Sequence, residues 1–145
     1  TSAADRARLW AMRDDVGQVR RHAPVQTFDV SLPIPAVPDY VAEVNARLGE
    51  RFGEVVNFVF GHLGDGNIHL IVGPGDREPE TRQAVETIVY GALAPRGGSV
   101  SAEHGIGLEK KPWLAVSRSE AEQAVMRAVK QALDPEGILN PGKIL

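Results

Sequence analysis

The chain has 145 residues and a net charge of −3; 43% of its residues are hydrophobic and 24% are charged. This composition is typical of one soluble globular domain, and the 16 basic residues are too scattered to indicate a nucleic-acid partner. Because cysteine is absent, a disulfide framework, a cysteine nucleophile and a thiolate metal site are excluded. No apolar run approaches the ~18 residues of a transmembrane segment, and no signal peptide is visible, so we expect a cytoplasmic protein.

The first part of the chain predicts a helix, a strand and a second helix. Helical spacing of apolar residues predicts the first helix over 5–22, with Asp5 as its N-cap and Pro24 ending it. Apolar and polar residues alternate over 25–32, which predicts a half-buried strand. Three prolines then lead into a second helix, expected over 39–52.

The later elements complete an α+β pattern. They are hairpin strands over 55–60 and 68–72, a third helix over 80–93, a short last strand over 99–101 and a final helix ending at 133. Ser119 and Glu122 form a capping box for that final helix. Between the first and last helices the order is that of a ferredoxin-like fold, an antiparallel sheet with helices on one face. We predict this fold for one domain over 1–145, with extra N- and C-terminal helices and an apolar tail that has no place in it.

Two histidines flank a glycine-rich hairpin turn, and they are the main functional signal. Asp65 and Gly66 predict a two-residue type I′ turn, which would place His62 directly opposite His69. Opposed residues share a face, with Cβ atoms about 4.5–5.5 Å apart, a spacing that suits two ligands of one metal ion. The alternative is that both imidazoles only cap hydrogen bonds of the hairpin.

A second cluster adds a carboxylate and a third imidazole. Glu103 and His104 are adjacent, and Gly105 and Gly107 permit an irregular backbone that could turn both side chains towards one site. Two imidazoles and a carboxylate suit Zn²⁺, Mn²⁺ or Fe²⁺ acting as a Lewis acid. The alternative is that Glu103 lies near the cap of a helix.

Two further polar residues have open interpretations. Asn67 could turn its amide towards the histidines or simply end the hairpin. Arg13 lies between apolar positions of the first helix, where it is either solvated or a fork for a carboxylate.

Three motifs resemble the C-terminal half of the FAD-linked oxidases, a family that includes glycolate oxidase, D-lactate dehydrogenases and D-2-hydroxyglutarate dehydrogenase. They are Gly61-His-Leu-Gly-Asp-Gly-Asn-Ile-His69, the segment 98–107 around Glu103-His104, and Asp134-Pro-Glu-Gly-Ile-Leu-Asn-Pro-Gly-Lys143. Their order and spacing are those of the family, and the resemblance covers nearly the whole chain.

The resemblance implies oxidation of a D-2-hydroxy acid to a 2-oxo acid, with hydride passing to FAD that an N-terminal domain absent from this chain mainly binds. It implies that His62, His69 and Glu103 ligate a divalent metal, often zinc, which holds the substrate hydroxyl and carboxylate. His104 would take the hydroxyl proton and face the flavin. Arg13 would bind the substrate carboxylate. Asn140 would lie in the tail that returns to the flavin domain, which gives that tail a place.

The sequence departs from the hydroxyglutarate enzymes at three polar positions. Thr27 stands where they have lysine, Ile71 where they have asparagine, and Gly17 where they have threonine. These changes argue against a second, distal carboxylate on the substrate. They favour a smaller or more apolar hydroxy acid.

Three functions therefore compete. The first is the substrate-and-metal half of a flavin-dependent dehydrogenase. The second is a flavin-free module that binds a metal or a carboxylate without redox activity, and the third is a structural or dimerising domain. Each of these functions is compatible with a homo-oligomer.

Overall fold

The architecture comes from a computed structural model that describes residues 2–145, except for the side chains of Arg13, Val16, Arg20 and Leu63. Its elements are α1 Ala3–Asp14, β1 Gln26–Ser31, α2 Val37–Phe52, β2 Val56–His62, β3 Asn67–Gly73, α3 Pro79–Gly91, α4 Leu114–Ser117 and α5 Glu120–Leu133. Short 3₁₀ turns connect several of them, the longest being Val16–His22. The α+β class predicted from the sequence is confirmed. None of the described helices has the length and apolar character of a membrane span.

The three strands form an antiparallel sheet in the order β1-β3-β2. One face of this sheet packs on α2 and α3 and carries the hydrophobic core, with Val30, Leu70 and Val72 fully buried. The helices are tied together by Tyr40, whose hydroxyl donates a hydrogen bond to the carbonyl of Val89 (3.1 Å). The opposite face, hereafter the open face, takes the alternate residues of each strand.

The first helix is shorter than predicted. It begins after Ser2, which caps it, and Asp5 occupies the third helical position and completes a capping box instead of being the N-cap. It stops at Asp14, and the chain continues as the 3₁₀ turn Val16–His22. The predicted single helix over 5–22 is therefore wrong in its second half.

The predicted last strand over 99–101 is reduced to one bridge between Ser31 and Ser99. The next residues leave the sheet because their N–H groups bond elsewhere. The N–H of Val100 donates to the Ser117 hydroxyl (2.8 Å), and that of Ala102 donates to the Asp29 carboxylate (3.1 Å). The bridge keeps this segment beside β1, where the fourth strand of a ferredoxin-like sheet lies.

The hairpin turn differs from the predicted two-residue turn. A 3₁₀ turn over Leu63–Asp65 and Gly66 connects the strands, so His62 pairs with Asn67 and His69 pairs with Phe60. Tertiary contact fixes this turn, since the N–H of Leu32 donates to the carbonyl of Gly66 (3.0 Å). The register differs from the prediction by two residues, an even number, so both histidines still project from one face.

Candidate metal and substrate site

The open face brings both hairpin histidines to one end of the sheet. His62 lies in the row closest to the turn, beside Asn67, and His69 lies in the next row, beside Phe60. The two imidazoles are diagonal neighbours, with ring centroids 5.8 Å apart. The two histidines lie close together, as predicted, but they are not directly opposite each other in the sheet.

Glu103 joins the two histidines from the loop that follows the Ser99 bridge. Its Oε1 atom lies 3.0 Å from His62 Nδ1 and accepts a hydrogen bond from Asn67 Nδ2 at 2.5 Å. His62, His69 and Glu103 each offer one ligand atom, and the three atoms lie within 4.8 Å of one another. The loop over 101–105 is irregular, so Glu103 does not start a helix.

A residue that the sequence analysis did not select, Asp29, organises this loop. Its Oδ2 atom accepts the N–H groups of Ala102 (3.1 Å), Glu103 (2.9 Å) and His104 (2.9 Å). Asp29 lies in the middle of β1 and is only 1% exposed. An acidic residue between the core residues Phe28 and Val30 was the signal that could have identified it.

The environment of Asp29 favours its ionised form. Burial alone would raise the pKa of this carboxyl, but the N–H groups of His104 and Glu103 and the nearby charge of Lys110 outweigh burial and lower the pKa to about 2. Lys110 Nζ lies 3.5 Å from Oδ2, and burial lowers the pKa of this lysine while Asp29 opposes the change. The loop is thus anchored to β1 by a carboxylate in its charged state.

The same carboxylate faces two of the three site histidines. Asp29 Oδ1 accepts no hydrogen bond from the described residues and lies 3.8 Å from His69 Nδ1. Asp29 Oδ2 lies 3.8 Å from His104 Nδ1. The His104 ring stacks on that of His69 with centroids 6.0 Å apart, and its side chain is 65% exposed. His104 therefore lies beside the candidate metal ligands, and its side chain is exposed to solvent.

The chemistry of the three donor side chains fits a divalent metal. Two imidazole nitrogens and one carboxylate oxygen are ligands that zinc accepts, and three protein ligands leave a coordination position open. A buried carboxylate oxygen facing a ligand imidazole is the usual outer partner of such a site, and Asp29 Oδ1, 3.8 Å from His69 Nδ1, occupies that place.

A cleft of about 560 Å³ opens beside His62 and His69, between the open face and the N-terminal segment. The sheet contributes Phe58, Phe60, Gly61, His62 and His69, and the N-terminal segment contributes Met12, Asp14, Asp15 and Val19. His62 and His69 thus border a space large enough for a small molecule.

Arg13 and Asn140 are the two other predicted site residues. The Arg13 side chain lies outside the described part of the structure, although α1, which carries Arg13, borders the cleft. Asn140 lies in the tail, beside an apolar surface cavity that α5 and the residues around Gly107 also line. The tail is tied there by the N–H of Ile144, which donates to the carbonyl of Gly107 (2.9 Å).

Comparison with known proteins identifies the family. A family model described as FAD linked oxidases, C-terminal domain, matches residues 1–144. The chain belongs to this family. The resemblance stated from the sequence motifs is therefore confirmed.

Curated relatives of this FAD-linked oxidase domain are much longer than the chain. The D-2-hydroxyglutarate dehydrogenase, mitochondrial, of Rattus norvegicus is 43% identical over 138 residues, which cover 94% of the chain and 25% of the relative. The D-2-hydroxyglutarate dehydrogenase of Xanthomonas citri is 40% identical over 149 residues, which cover 99% of the chain and 31% of the relative. The D-2-hydroxyglutarate dehydrogenase of Stutzerimonas stutzeri is 37% identical over 141 residues, which cover 94% of the chain and 30% of the relative. The chain spans about a quarter to a third of these relatives, and its expected cytoplasmic location stays a prediction.

Proposed function

We propose that residues 1–145 form the substrate-and-metal domain of a flavin-dependent dehydrogenase that oxidises a D-2-hydroxy acid to the 2-oxo acid. Its relatives named D-2-hydroxyglutarate dehydrogenase support the reaction class. The observation that carries the proposal is the convergence of His62, His69 and Glu103 beside His104, with the two hairpin histidines lining a cleft. FAD is mainly bound by a separate N-terminal domain and, when bound, accepts the hydride that leaves the α-carbon.

His62, His69 and Glu103 are the proposed ligands of one divalent metal, zinc in the first place and manganese or iron otherwise. When bound, the metal lowers the pKa of a coordinated substrate hydroxyl. Asn67 holds the Glu103 carboxylate through its amide N–H, so the ligand atom keeps its position before metal or substrate arrives. Asp29 faces His69 Nδ1, which leaves the other ring nitrogen of His69 for the metal.

His104 is the proposed catalytic base. It takes the proton of the substrate hydroxyl as the hydride leaves the α-carbon, so that the alcohol loses two electrons and two hydrogens in all. Asp29 lies 3.8 Å from His104 Nδ1 and carries a negative charge, which stabilises the imidazolium that forms. The exposure of His104 is what lets a substrate and the flavin face reach it.

The remaining assignments concern the substrate and the flavin. Arg13, on the helix that borders the cleft, is the proposed partner of the substrate carboxylate, and Asn67 is a second substrate-binding residue. Asn140 in the tail and His104 are the proposed contacts to the flavin.

Anaerobic flavin reduction tests the proposed function. The full-length gene product, loaded with FAD, is mixed with D- and L-2-hydroxy acids before and after metal removal. We expect the D enantiomers to bleach the oxidised flavin, and we expect bleaching to stop on chelation and return with zinc. Metal binding without flavin reduction by any hydroxy acid would instead support the flavin-free binding module.

A further inference from the structure

A buried lysine lies behind the site, and the proposed mechanism does not use it. The side chain of Lys110 is only 12% exposed, although lysine is almost never buried without partners. Its ammonium group has three N–H donors, and three acceptors surround it. They are the Ser101 hydroxyl oxygen (3.0 Å), the Asp29 carbonyl oxygen (3.3 Å) and Asp29 Oδ2 (3.5 Å). Lys110 therefore joins β1 to the first residue of the loop over 101–105.

The Ser101 hydroxyl closes this loop. It donates to the Gly105 carbonyl (3.0 Å), and Asp29 Oδ2, at 3.3 Å, is a second acceptor within its reach. A hydroxyl has one hydrogen and can serve only one of them at a time. Asp29 Oδ2 already accepts three backbone N–H groups. Because Lys110 donates to the Ser101 oxygen and also lies against Oδ2, the hydroxyl hydrogen is directed to Gly105.

The backbone at Lys110 is fixed from both sides. Its N–H donates to the carbonyl of Ile106 (3.1 Å), which closes the turn that follows the loop. The 3₁₀ turn Lys111–Trp113 comes next, and the indole N–H of Trp113 donates to Glu86 Oε2 on α3 (3.0 Å). The lysine therefore reaches the loop from a backbone that is tied to α3.

Glu103 and His104 differ in how much they depend on the loop. The Glu103 carboxylate is also held from outside the loop, since Asn67 Nδ2 donates to its Oε1 atom (2.5 Å). The His104 ring lies 6.0 Å from the His69 ring, centroid to centroid, and its Nδ1 lies 3.8 Å from Asp29 Oδ2. Both distances are too long for a hydrogen bond, so the loop backbone sets the position of His104.

We propose that Lys110 is a positioning residue for His104 and acts through the Ser101 hydroxyl that closes the loop. This inference rests on the proposed function, in which His104 is the base. Among the described residues, Lys110 belongs neither to the ligand group nor to the lining of the cleft. Its loss therefore slows proton removal but leaves the metal ligands in place.

Lys110→Met tests the proposal in the flavin-loaded, metal-loaded, full-length protein, because methionine has a similar length and donates no hydrogen bond. The reaction is anaerobic flavin reduction by saturating D-lactate or D-2-hydroxyglutarate, whichever reacts faster with the parent. We expect its rate to fall by about 10–100-fold, since a displacement of about 1 Å is enough for such a loss.

The metal site should respond differently from the reaction rate. Zinc affinity and the substrate concentration for half-maximal rate should change by less than about threefold, well below the effect of losing an outer partner of a ligand. The reason is that Glu103 keeps its contact with Asn67. Arg77→Met removes an exposed cation ahead of α3 and, as the control, should change neither the rate nor the affinities.

Ser101→Ala is a second test that does not require replacement of a buried lysine. It should slow flavin reduction by a similar factor. The double variant should be no slower than the slower single variant, because both changes break the same connection. Effects that multiply in the double variant would refute a joint action of Ser101 and Lys110. An unchanged rate in Lys110→Met, or equal losses of rate and zinc affinity, would overturn the positioning role.

Hydrogen exchange separates a failure of this inference from a failure of the proposed function. In full-length Lys110→Met, the amides of 102–104 should exchange at least about tenfold faster than in the parent, while those of β3 keep their rate. Unchanged exchange over 102–104 would overturn the inference, whether or not the protein oxidises a hydroxy acid. If no hydroxy acid reduces the flavin of the parent, the proposed function is wrong, and the exchange result still decides whether Lys110 holds the loop.

Discussion

Replacing Asp29 by asparagine tests how the site is held together. The change keeps the size of the side chain but removes the charge that anchors Ala102, Glu103 and His104. It also places an amide where Oδ1 faces His69. Because outer partners of metal ligands tune affinity by about 10–100-fold, we expect Asp29→Asn to weaken zinc binding by that factor.

The effect on stability follows from the pKa of Asp29. Folding lowers this pKa from 3.8 to about 2, a difference of about 1.8, which corresponds to about 2 kcal/mol at 1.36 kcal/mol per pKa unit. A carboxyl with a lowered pKa stabilises the fold above its unfolded pKa, and this stabilisation is lost as the pH falls through its folded pKa. The variant should therefore be about 2 kcal/mol less stable near neutral pH, with the difference disappearing between about pH 4 and pH 2.

Urea unfolding at a series of pH values measures this difference, and calorimetric zinc titration measures the affinity. Asp39→Asn is the matched control, since Asp39 is exposed in the first turn of α2 and its loss should cost less than about 1 kcal/mol. Equal stability of parent and Asp29→Asn at neutral pH, or a difference that persists at pH 2, would refute the anchoring role. Unchanged zinc affinity would refute the influence on the ligands.

The other predictions concern the proposed ligand, the base and the turn. Glu103→Gln should lower zinc affinity by more than about tenfold in the same titration, because a neutral amide replaces a carboxylate ligand. His104→Ala should lower turnover by about 10²–10⁴-fold while the bound metal and flavin, measured by elemental analysis and absorbance, stay unchanged; a smaller loss would exclude His104 as the base. Gly66→Ala should destabilise the fold by at least about 1 kcal/mol, since its φ is +75° and a Cβ atom would lie 2.0 Å from the Leu32 carbonyl oxygen. Gly64→Ala, in the same turn with open space around it, is the control in thermal unfolding.

Sequence patterns predicted a helix or strand well where interactions between nearby residues determine its boundaries. The Ser119–Glu122 capping box placed the start of α5, and the structure has both reciprocal hydrogen bonds. The alternation around Val30 predicted β1 correctly, although Asp29 on the opposite face is buried as well as Phe28 and Val30. The first helix was predicted too long because apolar spacing continues through the 3₁₀ turn Val16–His22.

Features that depend on distant contacts were not predictable in the same way. The hairpin register depends on the contact between Gly66 and Leu32, which no pattern within the hairpin reveals. Three of the proposed site residues nevertheless converge as expected, because the register error was even and kept His62 and His69 on one face. Asp29 was missed because its importance comes from a loop more than 70 residues away.

The central claim is that His62, His69 and Glu103 bind one metal ion. The direct test is the metal content of the protein, purified without a His-tag or chelator, beside His69→Ala and the control His22→Ala, whose histidine lies outside the ligand cluster. The account predicts about one equivalent of zinc, manganese or iron in the parent and in His22→Ala, and almost none in His69→Ala. Equal metal content in all three proteins, or none in the parent after incubation with each metal, would contradict it.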